Sequence, residues 1–256
     1  MKKVCLVIGA GAGIGGTVGR KFAEAGYHAA LCRRSDAEGL DSSVENIRRS
    51  GYSSSGHLLN VVDDGAIEKL VLEAEAIGPL DTVLYNLGAQ IGTRSLAETP
   101  LKTFELGWKI ACFGLFRLAK AVIPLMMDRG HGTLLVTSAT AAVRGNAGQH
   151  SHAAAMAGRR LLCQTLNAEY AAQGIHVVHL VIDGAVDAPD TLGKMLGPEQ
   201  FEVLKKTKGN QHDGLLLPEK IADTYLHLAQ QHRSAWTHEL DLRAHSDLAW
   251  WNHSVK

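Results

Sequence analysis

The sequence predicts a doubly wound α/β domain, a parallel sheet with helices on both faces, and three observations carry that expectation. Short apolar runs alternate with longer helical patterns almost from end to end of the 256 residues. A glycine-rich loop, IGAGAGIGG, follows the first run and opens the first helical pattern. No linker, repeat or low-complexity tract divides the chain, so a single domain over 1–256 is expected.

The elements follow in order. Val4–Ile8 (VCLVI) is continuous and β-rich, as a parallel strand buried on both faces should be. A helix from Ile14 to about Ala25 is closed by Gly26. His28–Cys32 reads as a second strand, followed by a polar helix ending near Gly51. His57–Val62 reads as a third, with Asp63 or Asp64 placed to cap a helix carrying Ile67, Leu70, Val71 and Ala74. Asp81–Tyr85 is the fourth strand. Phe104–Met127 is a long helical pattern in which Pro124 is expected to kink or end the last turn. Thr133–Thr137 then reads as a strand. Ala153–Ala172 is a helix, with Met156, Arg160, Cys163, Leu166 and Tyr170 at three- or four-residue spacing. His176–Ile182 is a further strand, Pro218 opens the last helix, and THELDL (237–242) closes the sheet. The stretch from Gly184 to Gly214 is the least regular, and a mobile lid is expected at about 185–215.

Composition narrows the function classes. A 46% hydrophobic content supports a full core, and 26 basic residues balance 26 acidic ones. The overall charge therefore makes no electrostatic case for nucleic acid or an anionic membrane as partner. Cys5, Cys32, Cys112 and Cys163 lie far apart without a C-x-x-C pair. This points to reduced thiols in a cytoplasmic protein rather than a disulfide framework or a zinc site, and no metal is expected. MKKVCLVIGAGAG has the basic start of a signal peptide, but its apolar run is only five residues before glycines interrupt, so a first strand is expected there. No apolar stretch is expected to approach the roughly 20 residues needed to cross a bilayer.

Two spacings overlap in the glycine loop, Gly9-x3-Gly13-x-Gly15 and Gly11-x-Gly13-x2-Gly16. Either lets the backbone turn tightly and approach a pyrophosphate facing the helix N-terminus. The discriminating residue is expected about 20 positions later, where an acidic side chain would accept from the ribose 2′-hydroxyl of NAD. Here the strand ends in Arg33-Arg34, and a guanidinium binds a phosphate bidentately. NADP(H) is therefore expected over NAD(H), set against the plainer reading of a solvated basic loop.

Together the glycine loop, strand pattern and length resemble the short-chain dehydrogenase/reductase family over essentially the whole chain. Gly9-x3-Gly13-Ile14-Gly15 matches that family's cofactor loop, although Ile8 replaces the usual threonine. Tyr85-Asn86-Leu87-Gly88 is similar to its Asn-Asn-Ala-Gly segment, Asn60-Val61 falls where Asp-Val contacts the adenine, and THELDL resembles the last strand. The resemblance implies a Rossmann-like single domain. It also implies an oxidoreductase acting on a small carbonyl or alcohol molecule, and a homodimer or homotetramer packed through the long helices near 104–127 and 153–172.

The same resemblance implies a catalytic tyrosine, a lysine four residues on, a polarising serine and an asparagine on the long helix. Aligned by its flanking glycines, AGQHSHAAAMAG (147–158) puts His152 at the tyrosine position and Met156 at the lysine position. Ala139 takes the serine position, flanked by Ser138 and Thr140, and Ala111 the asparagine position. Asp183-Gly184 replaces the usual Pro-Gly, and Ala188 a threonine near the nicotinamide. His152 is a candidate acid–base residue, with Ser138 or Thr140 as partner. The alternative is a helix-start histidine that packs or caps a small cleft. His150, two residues away, belongs to a different helical face. Trp250-Trp251 could close a site or anchor the tail. Three functions stay open: an altered NADP(H) oxidoreductase, a silent NADP(H)-binding sensor or oligomer partner, and a cofactor-free binding protein that keeps only the fold.

Overall fold

The structure, a computed structural model, describes residues 1–88, 93–211 and 213–252. Seven parallel strands form one sheet in the order β3-β2-β1-β4-β5-β6-β7. They are β1 (Val4–Ile8), β2 (His28–Arg33), β3 (Ser53–Leu58), β4 (Leu80–Tyr85), β5 (Gly132–Ala139), β6 (Ile175–Ile182) and β7 (Glu239–Leu242). The expected doubly wound class is the one observed. Its strand order reverses between β1 and β4, which opens a crevice at their C-terminal ends.

The period of two along β1 builds both cores. Val4, Leu6 and Ile8 pack on one face with Ile67, Leu115 and Met126, from the helices Ala66–Ile77 and Leu101–Arg129. Cys5 and Val7 pack on the other with Val18, Phe22, Val44 and Tyr225. Those come from the helices Ile14–Glu24, Ala37–Arg49 and Pro218–Ala229. The helix His150–Tyr170 joins the first face through Cys163 and Leu166.

Several expectations are corrected. The third strand begins at Ser53, not His57. Its serines are satisfied locally: the His28 ring bridges Ser53 Oγ (2.7 Å) and Ser55 Oγ (2.9 Å), and Ser54 Oγ donates to the Val44 carbonyl. A search for apolar runs misses such a strand, and the shift frees Asn60 and Val61 to lie beyond the sheet. Gly65, not Asp63 or Asp64, caps the next helix at φ +72°, and the Asp63 carboxylate accepts from Asn60 Nδ2 instead (2.7 Å).

Pro124 does not end its helix, which runs on to Arg129. An interior proline costs roughly 3 kcal/mol. Burial of Val122, Ile123 and Met126 beside it offsets that at about 1.5–3 kcal/mol per side chain. This helix is also long and apolar enough to cross a bilayer by length and composition. Charged Arg117 and Lys120 hide that property from a search for unbroken apolar runs. Its Leu115, Leu118 and Val122 are in the core. The lid region is more regular than expected. It holds helical turns at Lys194–Leu196 and Pro198–Leu204, anchored by buried Phe201.

Phe22 is fully buried and Leu72 is 65% exposed. In urea unfolding, Phe22→Ala should lower stability by about 3–5 kcal/mol. Leu72→Ala should change it by less than about 0.5 kcal/mol.

Candidate active site

A cleft of about 570 Å³ runs along the C-terminal ends of the central strands. It is lined by Gly9, Gly13, Ile14 and Gly15, then Arg33, Arg34, Asn60 and Val61, then Asn86 and Gly88. Ser138, Ala139, His152 and Met156 line its inner end. The structure thus brings the candidate residues from six separate segments to one cavity.

The glycine loop is fixed by backbone sterics. Gly9 has φ +95°, and a Cβ there would stand 2.9 Å from the Asn86 carbonyl oxygen. A Cβ on Gly15 would collide with the Gly9 carbonyl. Asn86 binds this turn to β4: its amide N–H donates to Ile8 O (2.9 Å) and its Nδ2 to Gly9 O (3.0 Å). The Asn86 side chain therefore shapes the loop.

The arginine pair divides its work, which corrects the expectation that both guanidinium groups stand ready for a phosphate. Arg33 is buried. Its Nε donates to Ala10 O (2.7 Å), and its terminal nitrogens pair with Asp36 and, at 3.4 Å, with Asp190. Arg34 is exposed at the cleft margin and supplies the accessible cation. Asn60 also lines the cleft; one N–H of its Nδ2 donates to Asp63, which leaves the second N–H and the carbonyl oxygen for an adenine.

These residues fit a dinucleotide phosphate at the adenosine end: a glycine cradle, an open guanidinium and a helix N-terminus meet there. One group fits less well. The Asp190 carboxylate already accepts from the Ala12 N–H (2.9 Å).

At the inner end, His152 sits in the first turn of its helix, 8% exposed, and its buried Nδ1 has no hydrogen-bond partner. Burial first, then the charge of Arg159, hold its imidazolium below the usual histidine range. Ser138 Oγ is directed to Met156 Sδ (3.8 Å) rather than to His152. Ala111 does not reach the wall. It is buried beneath it with Ala141, Ala142, Ala155 and Met156, where the long helix widens over Lys109–Phe113. His150 does not line the cleft. Asp183 is turned to the tail, accepting from Arg243 (2.7 Å) and from the Trp250 N–H (3.0 Å), so Trp250 is an anchor.

Sequence reasoning missed Arg159. The helical face that enters the core is His152, Ala155, Met156, Arg159, Cys163 and Leu166. Arg160, expected on that face, instead makes two 2.7 Å bonds to Glu239. Arg159 is 1% exposed. It donates to the carbonyls of Ala111 (2.8 Å), Thr137 (2.5 Å) and Leu87 (2.5 Å), and its guanidinium stands 5.3 Å from the centre of the Tyr85 ring. The signal was a three- and four-residue spacing read one position out of phase.

Chemically, this inner end offers a neutral imidazole and a buried cation committed to carbonyl oxygens. No hydroxyl or ammonium group touches the imidazole among the described contacts. A tyrosine–lysine proton relay has no counterpart in these contacts.

The comparisons agree with this architecture. A family model described as short chain dehydrogenase matches residues 3–194. The 2-keto-3-deoxy-L-fuconate dehydrogenase of Xanthomonas campestris is 28% identical over 240 residues, covering 92% of this chain and 76% of that protein. The glycine betaine reductase of Emericella nidulans is 29% identical over 231 residues, 90% of this chain but only 18% of that protein. A short-chain dehydrogenase structure from Rhodopseudomonas palustris superposes with a TM-score of 0.78 at 29% identity, covering 94% and 98% of the two chains. The actinorhodin polyketide ketoreductase with NADPH shares the fold at a TM-score of 0.83 and 24% identity, over 95% and 96%. The strand order, the glycine loop and a family match over most of the length lead to one conclusion: this chain belongs to the short-chain dehydrogenase family.

Proposed function

We propose that this protein binds NADP(H) and recognises a small carbonyl or alcohol molecule without running the tyrosine–lysine relay, acting as a sensor or as a partner within an oligomer. The observation that carries this reading is the inner end of the cleft, where His152 Nδ1 is unpaired and Ser138 faces Met156. Bound NADP(H) would supply hydride chemistry. The chain's own part there would be to hold the nucleotide between the glycine loop and Arg34. General acid–base assistance commonly contributes roughly 10²–10⁴-fold, so a cleft without it should reduce carbonyls poorly.

A second reading, an altered oxidoreductase, is favoured by His152 itself: its ring lines the cleft, its Nδ1 is buried and unpaired, and a neutral imidazole is a competent proton acceptor. Free, mostly buried cysteines support a cytoplasmic location for either function. Phe104, Trp108, Phe113 and Phe116 are exposed along the long helix, two pairs of them stacked, and Leu161 is exposed on its neighbour. They support a homodimer or homotetramer.

Fluorescence titration tests the cofactor reading. NADPH should bind more tightly than NADH, and Arg34→Ala should weaken NADPH by roughly tenfold while leaving NADH unchanged. No binding of either nucleotide refutes it. A carbonyl panel with NADPH separates the two functions. The sensor reading expects negligible turnover, rising when Ala111→Asn, Ala139→Ser, His152→Tyr and Met156→Lys are combined. Substantial turnover that His152→Ala abolishes would establish the second. In NMR, the His152 ring should titrate below the ordinary histidine value of 6.5. Its depressed folded-state pKa means that the stability it contributes is present above that value and lost as pH falls toward the folded pKa. His152→Gln should flatten that acid loss. Light scattering at micromolar concentration should find an oligomer, and a monomer rules it out.

A further inference from the structure

We infer that Asp190 is a built-in stopper at the pyrophosphate position of the cofactor cleft, a specificity-determining carboxylate that a dinucleotide must displace. The inference rests on the NADP(H) reading above and concerns one subsite of it. The Ala12 N–H lies in the glycine loop just before the helix Ile14–Glu24, where the backbone attracts an anion. Asp190 Oδ2 accepts from that N–H at 2.9 Å. The same oxygen is 3.4 Å from Arg33 Nη2, and Lys194 Nζ is 3.5 Å from Oδ1. A Cβ on Gly11 would lie 3.6 Å from Oδ2, so the carboxylate rests against the glycine cradle itself.

The segment around Asp190 is seated rather than loosely placed. The Ala188 Cβ lies 2.7 Å from where a Gly13 Cβ would stand. The N–H groups of Thr191 and Gly193 both donate to the Ala188 carbonyl, at 3.2 and 3.1 Å. A Cβ on Gly193 would be 3.3 Å from the ring of buried Phe201, which holds the far side of the turn. The Ala12 N–H is the main cause that keeps the carboxyl below its usual range, and Lys194 and Arg33 add to it. The group is therefore an anion at neutral pH.

A pyrophosphate that takes the Ala12 amide meets this second anion at contact distance. Binding then requires Asp190 to leave both Ala12 and Arg33. Through Arg33, Asp190 also reaches the adenosine end, where Arg34 stays open at the cleft margin. The stopper therefore opposes a full dinucleotide where its phosphates meet the glycine loop.

The test is NADPH titration of the full chain and three variants, each first checked for an unchanged thermal melt. Asp190→Asn and Asp190→Ala should each bind NADPH at least about tenfold tighter than the parent, because the like-charge contact is gone. Glu199→Gln removes the same charge from the neighbouring helix without touching the glycine loop, and should leave the affinity unchanged. Equal affinity for the parent and both Asp190 variants overturns the stopper while leaving the cofactor reading intact. An equal gain in Glu199→Gln also overturns it, because the effect is then general charge. Failure of every form to bind NADPH overturns the stopper and the cofactor reading together.

Discussion

The inner half of the cleft depends on one buried guanidinium. Arg159 ties Leu87 after β4, Thr137 of β5 and Ala111 of the long helix into a single wall, through three carbonyl oxygens that would otherwise be buried near one another. Among the described residues no carboxylate pairs with it. Burying a cation in this way is expensive unless its donors are satisfied, and here carbonyl dipoles and the Tyr85 ring share that task. The result is an uncompensated positive charge behind the cleft, committed in geometry and unavailable as a proton donor. It stands close to where the family resemblance implies a lysine, yet three helix positions beyond Met156. Its field reaches His152 and helps to keep that ring neutral.

From this constraint the two ends of the cleft separate. At the adenosine end the arrangement is set by backbone: the turn at Gly9, the Asn86 bridge and the start of the first helix. Backbone geometry tolerates few substitutions, so that end keeps its pattern. At the inner end the arrangement is set by side chains standing on the ends of β5 and the helix His150–Tyr170. Side chains are replaceable one at a time. Ala139, Met156 and Ala111 each fit the same backbone without a hydroxyl, ammonium or amide, and Met156 fills its space against Ala111 and Ala155.

What was legible in the sequence follows the same division. Alternating apolar runs and the glycine loop fix the class of fold, because a fully buried strand such as β1 requires apolar residues at every position. The polar β3 was misplaced since its stability comes from His28 and Val44 in other elements, which no local pattern carries. Pro124 fails to end its helix for a similar reason, as burial of its neighbours outweighs its missing N–H. At the site, residue identity predicted membership of the cleft but not commitment within it. Arg33 and Arg34 look equivalent in sequence; only the fold turns the first inward onto Ala10 and Asp36. Arg159 and Arg160 differ in the same way, one entering the core and the other pairing with Glu239.

Those commitments bear on the proposed function without a tyrosine–lysine relay. A catalytic group needs a free valence aimed at the ligand, and most polar groups here have theirs engaged by the protein itself. Ser138 is turned to Met156, Asp183 to the tail, Arg33 to Asp36 and Asp190 to the glycine loop. His152 Nδ1 is the exception among these, buried and unpaired. An unpaired buried nitrogen costs roughly 1–3 kcal/mol, a cost that a ligand hydroxyl donating to it would remove. The same atom thus serves recognition or proton transfer equally well, and the chemistry turns on whether anything beside it can carry the proton away. Ser138 is turned to Met156 and Arg159 is committed to carbonyl oxygens, so neither is placed to carry that proton, and this favours recognition.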